Sequence, residues 1–98
     1  MSEPFNVSIM DISVEGIKIR TSDILRKKTV YKLSFSSVVE GINYSFENIE
    51  AIVSKSVVVE KGYNGYGMAF LYLDIETRQR LVTFLRTMAE IIRKSSLR

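Results

Sequence analysis

The sequence predicts a small, mainly β protein that ends in one long α-helix, and three observations predict it. Between Phe5 and Phe70 apolar residues recur at every second position in short runs separated by Gly, Ser, Asp and Asn, the period of strands with one buried face. Asn64-Gly65 lies between two such runs, and this pair favours the tight turn of a β-hairpin. After Asp74 the apolar spacing changes to three and four, the period of an amphipathic helix.

Ninety-eight residues hold one core, so a single domain over residues 1–98 is expected. Hydrophobic residues make up 46% and charged residues 26%, an ordinary globular balance. No apolar run reaches the length of a membrane span, and Met1-Ser2-Glu3-Pro4 lacks the basic and apolar parts of a signal peptide, so a cytoplasmic protein is expected. Cysteine and histidine are absent. That excludes disulfides, thiolate or imidazole metal sites and the usual nucleophile and base pairs. Neither an enzyme nor a metal or other cofactor is expected.

The net charge of +3 would suit nucleic acid, but Arg93, Lys94 and Arg98 account for all of it. Cations near the end of a terminal helix complement its dipole, which explains them structurally. Arg26-Lys27-Lys28 reads as a solvated loop. A nucleic-acid-binding small barrel is therefore the weakest of the binding readings.

Taken in order, Phe5, Val7 and Ile9 alternate, and so do Met10, Ile12 and Val14, but the parity changes between Ile9 and Met10. Either this strand is buried on both faces or a bulge re-aims it just before Asp11. Alternation resumes after Gly16, with Ile17 and Ile19 on one face and Lys18 and Arg20 on the other, and Thr21-Ser22-Asp23 ends that strand. Tyr31, Leu33 and Phe35 point inward from the next strand, which Ser36-Ser37 to Gly41 breaks. Ile42 to Phe46 and Ile49 to Val53 make two further strands, and Lys55-Ser56 a bend before Val57-Val58-Val59. A hairpin turn at Asn64-Gly65 would set Val59 opposite Phe70 and Lys61 opposite Met68. The glycines of Gly62 to Gly67 are in the wrong order for a nucleotide-binding loop.

Asp74 offers a helix N-cap and Glu76 suits the first turn, so a helix should run from about 75 to 94. Leu81, Phe84, Leu85, Met88, Ile91 and Ile92 form its apolar stripe. At the standard rise it spans about 30 Å, longer than one small sheet needs for cover. Phe84, Met88, Ile91 and Ile92 are therefore expected to meet a protein partner, a second copy of the chain included.

The stretch Met10 to Ile19 carries the chemistry. In an extended backbone Asp11 and Ser13 project from one face while Ile12 and Val14 point the other way. A carboxylate accepts two parallel hydrogen bonds, as the paired N–H donors of a guanine edge require, and the serine hydroxyl can reach base or phosphate. Gly16 would let the backbone approach a ligand closely or turn with positive φ. The structural alternative is a turn capped by Asp11 and Ser13 and closed by Gly16.

Asp11, Ser13 and Gly16 fill the three places of the PilZ signature, Asp or Asn, any residue, Ser, two residues, Gly, so the chain resembles that family. Gly65-Tyr66-Gly67-Met68-Ala69-Phe70 followed by the helix is similar to the family's closing strand and helix. The resemblance implies a six-stranded antiparallel Greek-key barrel over about 4–73, closed by the helix. It also implies cyclic di-GMP as ligand, held in part by Asp11, Ser13 and Gly16. Binding members carry a further motif upstream, Arg, three residues, Arg, whose guanidinium groups clamp phosphates and guanines. This sequence has no Arg or Lys before Lys18, and Pro4, Phe5 and Val7 cannot substitute. Each lost charge-assisted bond removes about 1.5–3 kcal/mol.

The expectation is thus a non-enzymatic domain of cyclic di-GMP signalling or of pilus and motility regulation that binds the dinucleotide weakly or not at all and acts through protein contacts. The alternative is a genuine receptor whose arginines come from a partner, another subunit or a longer N-terminus.

Overall fold

The computed structural model describes the backbone of residues 6–60 and 62–96 and the side-chain surroundings of 6–56 and 62–93. These residues form β1 (Ser8–Ile12), β2 (Gly16–Thr21), β3 (Val30–Val39), β4 (Ile42–Glu60), β5 (Tyr63–Phe70) and α1 (Ile75–Ser96). The strands hydrogen-bond in the order β1-β2-β5-β4-β3. The expected sixth strand and Greek-key closure are not found among the described residues. The runs at 42–46, 49–53 and 57–59 are instead one strand of 19 residues. Asn48, at φ 54°, gives its N–H to Ser34 Oγ at 3.1 Å, and Ser54 is an extra residue in the ladder. Both polar positions are thus absorbed as irregularities within the strand.

Two compact units divide the chain: Met1–Tyr31 with Glu50–Leu71, and Lys32–Ile49 with Tyr72–Arg98. The first contains β1, β2, β5 and the C-terminal part of β4. Ile17, Ile19, Ala51, Val53, Tyr66 and Met68 make its core, each at most 5% exposed. Leu25 joins them because its N–H bonds the buried Tyr66 hydroxyl at 3.0 Å. The basic loop is a turn, with the Thr29 N–H on the Arg26 carbonyl at 3.3 Å and Lys28 at φ 64°. Its end is tied to β4 by Lys28 N–H to Val53 O at 2.8 Å and Val53 N–H to Thr29 O at 3.0 Å.

The turn between β4 and β5 falls earlier than the Asn64-Gly65 pair suggests. Glu60 pairs with Tyr63, and Gly62 supplies the positive φ of 87°, while Asn64 and Gly65 lie inside β5. Phe70 therefore faces Ala51, and Met68 faces Val53, in place of Val59 and Lys61; Lys61 itself lies outside the described residues. At Met68 and Phe70 the two registers differ by an even number of residues, so both put the same faces of β4 and β5 together there and the alternation cannot choose between them. The observed one buries Ala51 and Val53 completely.

In the second unit β3 continues through Ser36-Ser37 to Val39, and the chain reverses at Glu40 and Gly41, both at positive φ, 51° and 78°. Two such residues are what a type I′ hairpin turn requires. Phe46 is the centre of this core at 1% exposure, with Phe35 at 5.0 Å and Phe84 of α1 at 5.9 Å between ring centroids. Tyr44 meets Phe84 at 5.3 Å, and the Arg80 guanidinium lies 5.6 Å from the Phe46 ring centroid. Asp74 caps α1 as the sequence predicts, its Oδ1 accepting the Thr77 N–H at 2.7 Å. That bond is the main reason its carboxyl pKa lies below the ordinary value, with Arg80 adding a smaller pull. Among the described residues no helix is long and apolar enough to cross a membrane.

Candidate functional site

The signature residues occupy the connection between β1 and β2. Ser13 and Gly16 close it: Ser13 N–H donates to the Gly16 carbonyl at 2.9 Å, and Ser13 Oγ accepts from the N–H groups of Glu15 at 3.2 Å and Gly16 at 3.3 Å. The same hydroxyl donates to the Gly16 carbonyl at 3.4 Å. A serine suits this place because its short hydroxyl reaches backbone groups two and three residues on.

Gly16 answers a different need. Its φ is not positive, so the turn does not demand glycine. Its pairing partner is Ala69 of β5, and a Cβ at this position would overlap the Met68 carbonyl oxygen, with Ala69 Cα at 3.3 Å. The Phe70 N–H donates to the Glu15 carbonyl at 2.9 Å and locks β5 against the turn. The close approach expected of Gly16 is thus made to the protein's own backbone.

Asp11, like Ser13, is exposed. Its Oδ1 accepts the adjacent Ile12 N–H at 2.9 Å. The parity change seen in the sequence is a bulge: Ile9 pairs with Ile19 and Asp11 with Lys18, leaving Met10 as the extra residue. Regular pairing onward from Ile9 would have set Asp11 against Ile17, whose side chain is buried. The bulge instead keeps the carboxylate on the outward face beside Lys18.

The same row continues across the first unit. Lys18 pairs with Gly67 of β5, and Gly67 pairs with Lys55 of β4. The extra residue Ser54 turns Lys55 outward, as Met10 does Asp11, and Ser54 Oγ donates to the Gly67 carbonyl at 3.1 Å. One row therefore reads Asp11, Lys18, Gly67, Lys55. Sequence reasoning missed Gly67 and Lys55 as neighbours of the motif, because the row exists only through pairing across two bulges. On the next outward position of β2, Arg20 lies over the Tyr63 ring at 5.1 Å from its centroid.

A family model, the PilZ domain, matches residues 2–87. The chain belongs to the PilZ family. No curated protein and no solved structure gives a match. PilZ domains are non-enzymatic binding or adaptor domains whose ligand is cyclic di-GMP, and this membership connects the chain with signalling by that dinucleotide.

The second unit of this PilZ domain holds an open depression of about 380 Å³, lined by Tyr44, Glu76, Gln79, Arg80 and Thr83. Thr83 Oγ1 is engaged with the Gln79 carbonyl at 3.0 Å. Of the four helix residues expected to face a partner, Phe84 is buried against Tyr44 and Phe46. Met88 and Ile91 are half-buried and Ile92 is 64% exposed. Among the described residues no three ligating side chains converge on a metal position.

Proposed function

We propose that this PilZ domain is a cytoplasmic, non-enzymatic adaptor in cyclic di-GMP signalling or in pilus and motility regulation, acting through protein contacts and binding the dinucleotide weakly or not at all. The observation that carries this reading is the commitment of Ser13 and Gly16 to their own turn and to β5, in a sequence without an Arg or Lys before Lys18. Cyclic di-GMP carries two phosphates. A site without guanidinium groups would forgo several charge-assisted bonds, each worth about 1.5–3 kcal/mol. Met88, Ile91 and Ile92 offer the helix its apolar contact surface for a protein partner or a second copy. Calorimetric titration of the whole chain with cyclic di-GMP should give no saturable heat at micromolar concentrations. A tight, stoichiometric isotherm would refute the adaptor reading.

The exposure of Asp11 beside Lys18 favours a second reading. In it Asp11, Ser13 and Gly16 are half of a working cyclic di-GMP receptor, and the arginines come from a partner, another subunit or a longer N-terminus. An arginine pair encoded upstream of Met1 would favour it.

A further inference from the structure

The row Asp11, Lys18, Gly67, Lys55 is not explained by the needs of the fold. Gly67 sits between the buried Tyr66 and Met68, so it faces outward with Lys18 and Lys55 on either side. A Cβ placed on Gly67 would meet only the Lys55 Cβ at 3.6 Å and the Ser54 Oγ at 3.9 Å, ordinary contact distances, and its φ is not positive. Neither the turn geometry nor the packing that holds Gly16 to glycine applies here. The bare position leaves the β5 backbone without a side chain between two lysines whose backbones stand two strand spacings apart, about 9.5 Å. Among the described residues neither lysine has an ion-pair partner. Arg20, over Tyr63, adds a third cation one outward position further on.

We propose that this face of β2, β5 and β4 is a docking surface for an acidic segment of a partner protein, laid across Gly67 with its carboxylates on Lys18 and Lys55. The proposal rests on the adaptor reading and names the chemistry of its partner. Asp11 stands at one end of the row, and across Gly67 the facing charges are Lys18 and Lys55, so charge complementarity over β5 selects an anionic occupant; the openness of the face suits a polypeptide better than a small ligand, whose sites are concave. The two flanking cations are ammonium groups, which attract carboxylates as point charges and lack the planar fork that clamps phosphate and guanine. The absent side chain at Gly67 lets a second backbone lie close to the sheet.

The test is a ¹⁵N-resolved NMR titration of the whole chain with three probes: a short blocked peptide of alternating Glu and Thr, its Lys-for-Glu counterpart, and cyclic di-GMP. The acidic peptide should shift the amides of Lys18, Arg20, Lys55 and Gly67, with an effect that weakens as salt is raised, and the basic peptide should not. The Lys18→Glu/Lys55→Glu variant should bind the acidic peptide about tenfold more weakly or worse, since two attractions become repulsions. Gly67→Glu should weaken it too, and its unchanged spectrum elsewhere would show that the fold is kept. Failure of the acidic peptide to shift this row, or equal binding by the charge-reversed variant, would overturn the docking proposal and leave the adaptor reading standing. Tight binding of cyclic di-GMP on the same row would overturn both.

Discussion

Gly16 and Gly67 lie on neighbouring strands of the first unit, yet their surroundings make opposite demands. At Gly16 the β5 backbone comes so close that a side chain would overlap the Met68 carbonyl oxygen; at Gly67 there is room for a Cβ at ordinary distances. The comparison separates two meanings of a glycine in a strand. One is a packing requirement inside the protein, and the other is space left on the outside. The glycine in the family signature has the first meaning, and the glycine outside it has the second.

The sharpest way to test this contrast is Gly16→Ala. Relieving the overlap must move β5 or the turn, and we expect a loss of about 3 kcal/mol or more in urea unfolding, the scale of overpacked or strained sites. Alanine tolerated at Gly16 within experimental error would remove the packing explanation. The paired substitution Gly67→Ala should act in the opposite direction, raising stability by about 0.5–1 kcal/mol because glycine within a strand costs conformational entropy. A large destabilisation there would mean that Gly67 is also held by the fold, and would weaken the docking argument.

The smallest effect concerns a group away from both glycines. The folded-state pKa of Asp74 lies below its unfolded value of 3.8, chiefly through the Thr77 N–H bond. Its contribution to stability is therefore complete above 3.8 and is lost as the pH falls through the lower, folded pKa. Asp74→Asn, which cannot titrate, should show a smaller drop in melting temperature than the unmodified chain between neutral pH and pH values below 3.8. Equal drops in the two proteins would show that the cap does not respond to acid.

Much of this architecture was legible in residue order. The parity change at Met10 leaves a bulge beside Asp11 or a strand buried on both faces, and the pairing decides for the bulge; Asp74 foretells the cap, because a cap is decided by a few adjacent residues. The continuity of β4 is not legible, since Glu47-Asn48 and Lys55-Ser56 read as breaks until long-range pairing shows the ladder running past them. The β4–β5 turn falls elsewhere than Asn64-Gly65 suggests because the slip at Met68 and Phe70 is even and leaves those side chains on their own faces. The position of the signature could be read from the sequence, but its surroundings could not: only the pairing of four strands reveals that Met68 occupies the space in front of Gly16 and that Lys55 shares a row with Asp11.

The bulges also affect how relatives of this chain should be aligned. Met10, Ser54 and Val59 are surplus to the ladder, so a strand shorter by one of these residues could keep all its neighbours in their present pairing. A deletion within a regularly paired stretch of β1 or β4 would turn the side chains beyond it inside out. Gaps of one residue are therefore best tolerated at these three places, and a comparison that puts them in the regular stretches would align core residues with surface ones.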